Sequence, residues 1–253
     1  MDLGLAGTRC VVTGGSRGIG RAIALGLAAE GATVAICARG EAALRETEAD
    51  LLALGVGAYA HSCDVADPPQ LSAFLDASRQ HLGGVDVLVH NASALAVGPD
   101  LASWEASLQV DLMAAVRACD QVVPWMEASG GGSILFVSST SALDASPMPD
   151  FGYTAAKAAL LAHAKKLSVL LAPRGIRVNA IAPGPTEFPG GVWAQVKDHK
   201  PGLYEAVRQA IPWGRLGTVE EVADVAVYLV SPRARWVTGE VLAIDGGLHK
   251  GMR

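Results

Sequence analysis

Short apolar runs alternate along the chain with longer stretches in which apolar residues recur every three or four positions. The runs are RCVVT (9–13), TVAIC (33–37), AYAHS (58–62), VDVLVH (85–90), SILFVS (133–138), IRVNAI (176–181) and EVLAI (240–244). Their length and β-branched content predict strands. The intervening stretches predict helices near 18–30, 41–54, 68–82, 103–128, 152–172 and 218–230. Strands that are apolar on both faces and alternate with helices build a parallel sheet with helices on both sides, an α/β doubly wound architecture. No linker or internal repeat divides the chain. One irregular insertion, Pro183 to Trp213, carries Gly, Pro and Trp in a pattern that suits a lid better than a core element.

The first strand runs directly into TGGSRGIG (13–20) and then into a helix. Gly14, Gly18 and Gly20 let the backbone turn tightly and approach a pyrophosphate closely, and the helix N-terminus offers free N–H groups to it. Ser16, Arg17 and Ile19 belong to the same turn. About twenty residues on, the second strand ends in Arg39 where an acidic residue would bind the ribose hydroxyls of NAD. An Arg there, with Arg17 beside it, suits a 2′-phosphate and favours NADP(H) over NAD(H). Asp64-Val65 and Asn91-Ala92 follow the third and fourth strands, at the ends where open α/β sheets bind ligands.

FGYTAAKAAL (151–160) places Tyr153 and Lys157 four positions apart, on one helix face. A phenol titrates near 10, and an adjacent ammonium lowers that value toward working pH, which suits proton transfer. The preceding strand ends in VSSTS, so Ser138 and Ser139 lie at the same sheet edge, where a hydroxyl can hold a carbonyl oxygen.

Composition adds exclusions. Of 253 residues, 51% are hydrophobic and 18% charged, enough for a large core; the formal net charge of −5 and the lack of a basic cluster argue against nucleic acid. No apolar run of about 20 residues predicts a membrane span, and the N-terminus does not read as a signal segment, so a cytoplasmic location is expected. Cys10, Cys37, Cys63 and Cys119 sit in apolar segments and read as buried thiols; no metal-ligand spacing occurs among Cys or His.

These motifs resemble the short-chain dehydrogenase/reductase family, in its branch of about 250 residues. The resemblance spans the chain: TGGSRGIG at 13–20, DV at 64–65, NA at 91–92, SS at 138–139, YTAAK at 153–157, RVNAIAPGP at 177–185, WGRLGTVEEVA at 213–223 and DGG at 245–247. It implies one Rossmann domain over 1–253 with a seven-stranded parallel sheet and a substrate lid at about 186–212. It also implies a Ser139-Tyr153-Lys157 site: Tyr153 as acid/base, Lys157 lowering its pKa and holding ribose hydroxyls, Ser139 orienting the carbonyl. Pro183, Gly184 and Thr186 join the cofactor set. The implied reaction is hydride transfer between a nicotinamide and a carbonyl carbon.

Four departures mark this chain. His90-Asn91-Ala92-Ser93 replaces NNAG, so Ser93 either contacts substrate or points away. Asp111 stands where the family has Asn in a proton relay, which adds a negative charge near Lys157. The gap from Ser139 to Tyr153 is one residue longer than usual, which makes the loop at 143–151 a candidate for shaping to a particular substrate. Phe188 replaces the Thr that holds the nicotinamide amide, with Thr186 nearby as a substitute. Ser93, Ser141, Met148, Phe188 and Trp193, with Leu95 and Val192, are the substrate-side candidates; the lid residues among them either line an apolar pocket or pack the lid onto the body.

The expected activity is NADP(H)-dependent interconversion of a carbonyl and a secondary alcohol on a small, largely apolar substrate. An NAD-dependent alcohol dehydrogenase and a 3-oxoacyl thioester reductase are the alternatives, and a non-catalytic dinucleotide sensor is a further one. WMEASGGGS (125–133) carries Glu127 and no Arg or Lys, against a basic face for a carrier protein. The helix at 155–172 has more apolar surface than one core stripe needs, and the family's habits imply a homotetramer, or a dimer, through it.

Overall fold

The computed structural model describes residues 2–145 and 148–251. Its seven strands are β1 (Arg9–Thr13), β2 (Thr33–Ala38), β3 (Ala58–Ser62), β4 (Val87–His90), β5 (Gly132–Val137), β6 (Ile176–Pro183) and β7 (Val241–Ile244). They form one sheet in the order β3-β2-β1-β4-β5-β6-β7, with every pairing parallel. All seven predicted strands are present, with ends shifted by up to two residues.

The helices that cover the sheet are α1 (Gly18–Ala29), α2 (Glu41–Ala53), α3 (Pro68–Leu82), α4 (Leu101–Ser107), α5 (Ala114–Ala128), α6 (Phe151–Leu171), α7 (Val192–His199), α8 (Pro201–Ala210) and α9 (Val219–Val230). The apolar strand residues divide between two buried clusters. Ile23 and Leu27 of α1, Leu44 and Leu51 of α2 and Val222 and Val227 of α9 pack on one face of the sheet. Leu71 and Phe74 of α3, Ala115 and Val122 of α5 and Leu160 and Ala164 of α6 pack on the other. Covering both faces is what makes the strands read as continuous apolar runs.

Two elements differ from expectation. The helix expected over 103–128 is α4 and α5 joined by a π-helical turn, Leu108–Met113. A π-turn holds an extra residue per turn and redirects side chains, here driving Asp111 to complete burial. The lid is not irregular either: it holds α7 and α8, short helices in which no residue is fully buried.

The strand order reverses between β1 and β4, which pair directly, Thr13 opposite His90. The carboxyl ends of these strands open the crevice in which such sheets bind ligands.

Candidate active site

The glycine turn lies at the carboxyl end of β1. Gly14 (φ +70°) and Gly18 (φ +55°) both adopt left-handed backbone. The cap of α1 is Arg17, in extended conformation; no side chain caps the helix and its first turn has no acidic residue. By contrast, Asp67 caps α3 and a Thr218–Glu221 capping box closes α9. The first-turn N–H groups of α1 therefore remain available to an anion, which fits a dinucleotide pyrophosphate. Ser16 and Ile19 are half-buried beside them, and the Arg17 side chain is exposed. Asn91 clamps the turn from below, its Nδ2 donating to Thr13 O (3.1 Å) and Gly14 O (3.0 Å), and Ala92 lies against Gly14.

The other cofactor candidates border the same crevice. Arg39 is exposed just past β2. Asp64 caps its own loop by accepting from Ala66 N (3.0 Å), and Val65 is buried. Pro183 ends β6 buried, and Gly184 packs so closely on Asp245 that a methyl there would lie 2.7 Å from Asp245 Cβ. Thr186 is buried and donates its hydroxyl to Gly184 O (3.0 Å), so its oxygen remains only as an acceptor.

Tyr153 and Lys157 emerge from the first two turns of α6 as their spacing predicts. The phenol is half-buried and shares a side-chain hydrogen bond with Ser139. Ser139 sits just past β5 in extended backbone, and its Oγ also accepts from Ser141 N (3.1 Å). Lys157 is 2% exposed, and its Nζ lies 5.7 Å from the Tyr153 ring centroid. It donates to Val137 O (2.8 Å) and stands 3.0 Å from Asp111 Oδ1, a fully buried ion pair. Asp111 Oδ2 accepts from Ala94 N (3.1 Å). Ser138 is buried and donates to Lys157 O (3.0 Å), pinning α6 to β5 and leaving Ser139 as the serine at the phenol.

The electrostatics correct one expectation. Burial, the largest influence, pushes the Tyr153 phenol up and outweighs the downward pull of Lys157 and of the hydrogen bond with Ser139, while the carboxylates of Asp111 and Asp150 push the same way as burial. The net direction is upward from 10.0, so the phenol is kept as a proton donor in the free protein.

His90 is a contributor that motif reading left without a role. Its ring is fully buried, with Nδ1 3.2 Å from Thr13 Oγ1 and Nε2 3.2 Å from Val110 O. Since Val110 O can only accept, Nε2 carries the proton; Thr13 then donates to Nδ1 while its Oγ1 accepts from Asn91 N (3.1 Å) and Ala92 N (3.2 Å). Burial first, then the Lys157 charge, depresses the ring to about 4, so His90 stays neutral and joins β1 and β4 to the π-turn.

The substrate-side candidates separate. Ser141 adjoins Ser139. Ser93 accepts from Leu95 N (3.1 Å), which holds it in its own loop; Leu95 (φ 48°) is 44% exposed beside it. Met148 is 43% exposed ahead of α6, and Trp193 is half-buried at the start of α7. Ser146 and Pro147 of the long loop lie outside the described residues. Phe188 lies against the glycine turn: a methyl at Gly18 would lie 2.6 Å from its Cζ, and one at Gly191 would lie 2.8 Å from its Cε1. It packs the lid onto the glycine turn. Glu127 also pairs with Arg174, so that face does carry a basic residue, one that the 125–133 window misses.

A family model described as enoyl-(acyl carrier protein) reductase matches residues 14–249. The chain belongs to the short-chain dehydrogenase/reductase family. The isoepoxydon dehydrogenase patN of Penicillium expansum is 39% identical, with 99% of this chain and 98% of that protein covered. Two solved structures of the family superpose closely. One is a 7α-hydroxysteroid dehydrogenase complexed with NADH and 7-oxo glycochenodeoxycholic acid, with TM-score 0.91, 31% identity and coverage of 98% and 97%. The other is L-sorbose reductase from Gluconobacter frateurii complexed with NADPH and L-sorbose, with TM-score 0.90, 32% identity and both chains covered to 100%. Family members of this shape thus include NADH and NADPH complexes. Among the described residues, no helix is long and apolar enough to cross a membrane and no metal-ligand cluster occurs.

Proposed function

We propose that this short-chain dehydrogenase/reductase interconverts a carbonyl and a secondary alcohol on a small, largely apolar substrate, with NADP(H) as the hydride carrier. The reading rests chiefly on one observation: Tyr153, hydrogen-bonded to Ser139 and faced by buried Lys157, stands at the sheet edge that carries the uncapped glycine turn. The cofactor would be held by the turn (Gly14, Ser16, Arg17, Gly18, Ile19, Gly20), by Asp64, Val65, Asn91 and Ala92, and by Pro183, Gly184 and Thr186 on the nicotinamide side. When bound, it supplies or accepts the hydride. The protein's share is positional: Ser139 Oγ hydrogen-bonds the substrate oxygen, Tyr153 gives or takes its proton, and Lys157 fixes the phenol's charge environment.

The preference for NADP(H) is supported by Arg39 and Arg17, both exposed at the end of the crevice where a 2′-phosphate would lie. An apolar substrate is supported by the partly exposed side chains of Leu95, Met148 and Trp193, in the segments that follow β4, precede α6 and open α7. Self-assembly, as a homotetramer, is supported by exposed Val169 (72%) and Leu170 (57%) on α6 and by Trp236 (97%) ahead of edge strand β7.

The test is NADPH-dependent turnover against a panel of ketones and a 3-oxoacyl carrier thioester, wild type against Tyr153→Phe. Ketone turnover that falls about 10²-fold or more in the variant, with dinucleotide affinity retained, supports the reading. Unchanged turnover in the variant refutes the role of Tyr153, and activity on the thioester alone moves the substrate class.

A further inference from the structure

Asp111 is the departure whose structural consequence is largest. Its carboxylate is fully buried, as is the ammonium that it faces. Burial of a carboxylate ordinarily ends in one of two ways, protonation or pairing with a cation. Protonation is opposed by what surrounds it. Oδ2 already accepts from Ala94 N. Oδ1 stands 3.0 Å from Lys157 Nζ without hydrogen-bond alignment, and it has no other polar partner among the described residues. A hydroxyl on Oδ1 would therefore face a donor, not an acceptor. His90, whose ring also feels the Asp111 charge, spends its N–H on Val110 O and carries no charge to share.

We infer that Asp111 is a permanent anionic partner of Lys157, and that this carboxylate, acting through the lysine, sets the pH range over which Tyr153 transfers its proton. The inference rests on the assignment of Tyr153 as the acid/base group. It makes Asp111 a positioning residue, because it touches Lys157 and Ala94 rather than the reacting oxygen. The groups that face the phenol are Lys157 and Asp150 on and before its own helix, Ser139 past β5, and Asp111 from the π-turn. A lone buried ammonium would favour the phenolate strongly. An ammonium already paired with a carboxylate is close to neutral seen from the phenol, and its pull is weakened accordingly. Position and charge are joined here, because the same carboxylate that offsets Lys157 holds Ala94, next to Ser93 and Leu95 on the substrate side.

Asp111→Asn removes the charge and keeps an oxygen that accepts from Ala94 N, with the amide NH2 then turned toward Lys157 Nζ. The midpoint of Tyr153 ionisation is read from tyrosinate absorbance as the difference from matched Tyr153→Phe proteins, with and without Asp111→Asn. The loss of one nearby buried negative charge moves that midpoint down by about one pH unit or more. The pH limb of kcat/KM with NADPH and a ketone moves down by the same amount. Equal midpoints in the two backgrounds overturn the inference, even if turnover drops, since a purely structural role lowers rate without moving a titration. A shifted midpoint in a protein that turns over no ketone or alcohol keeps the charge assignment and refutes the proposed function. Asp111→Ser, neutral and smaller, is the second variant if the Asn protein does not fold, and the same shift is expected of it.

Discussion

Gly20→Ala against Gly26→Ala compares two glycines of one helix whose surroundings predict opposite outcomes. A methyl at Gly20 would lie 2.2 Å from Gly14 O and 2.3 Å from Asn91 Nδ2. The first of these is backbone of the turn itself and cannot move away without opening the turn. The second is the amide that donates to Thr13 O at 3.1 Å and Gly14 O at 3.0 Å. Overpacking of this kind costs about 1–3 kcal/mol, and two displaced hydrogen bonds add about 1 kcal/mol each, against a helix-propensity gain of at most about 1 kcal/mol. The net loss is about 2–4 kcal/mol, or very roughly 4–16 °C in Tm at this chain length. At Gly26 the new methyl meets a single side-chain atom, Val227 Cγ2 at 3.0 Å, which can shift by a few tenths of an ångström, so strain and the propensity gain nearly cancel. Urea unfolding gives the stabilities, and NADPH fluorescence titration gives the affinity. Gly20→Ala should lose both stability and dinucleotide binding, while Gly26→Ala stays within about 1 kcal/mol of wild type and binds normally. Equal costs at the two positions, or a Gly20→Ala protein with full dinucleotide affinity, would refute the view that the turn is held by contact between α1 and its own backbone.

Folding depresses His90 from 6.5 to about 4, so between those pH values the unfolded chain binds a proton that the folded one does not. Stability is therefore full above about pH 6.5 and falls by about 3 kcal/mol on reaching pH 4; His90→Asn should flatten that acid limb by a similar amount in urea titrations, and an unchanged limb counts against a neutral buried imidazole. Arg39→Asp should weaken NADPH by tenfold or more while sparing NADH, measured by fluorescence titration; equal losses for both would remove Arg39 from the 2′-phosphate site. Thr218→Ala removes the hydroxyl end of the α9 capping box and should lower stability by about 1 kcal/mol without touching KM, and a cost near zero would mean that Glu221 with Arg215 closes that helix end by itself.

Much of the fold follows from signals that are local in the chain. The range of α3, 68–82, is readable because Asp67 caps it, Pro68 starts it and Gly83 (φ +77°) stops it. The proximity of Tyr153 and Lys157 needs nothing beyond helical geometry. Ser139 is a step harder, since choosing it over Ser138 depends on which hydroxyl is taken up by Lys157 O, a contact 19 residues away. The lid marks where local signals stop. The spacing of Phe188 shows only that the family's Thr is missing; that its ring covers Gly18, 170 positions earlier, is a tertiary fact. The helices α7 and α8 are hard to read for a related reason, as neither has a fully buried residue and the apolar side of α8 (Leu203, Tyr204, Val207) is only half-buried.

Asp111 shows the same limit most sharply. In LQVDLM an aspartate reads as one polar position on a long amphipathic helix, and such positions are ordinarily solvated. The π-turn overrides that periodicity and turns the carboxylate into the protein. The burial is sustainable because each charge has a second partner: Lys157 has Val137 O, and Asp111 has Ala94 N. It also needs its neighbour to stay neutral, which His90 does by directing one nitrogen to Thr13 and the other to Val110 O. The buried cluster thus holds one cation, one anion and one neutral ring, so its net charge is zero. Removing either charged member alone leaves the other stranded at several kcal/mol, whereas an uncharged pair in the same space need not be less stable. Stability therefore does not by itself account for an ion pair at this position. Its placement one helical turn from the phenol makes proton transfer the property that such a pair can adjust.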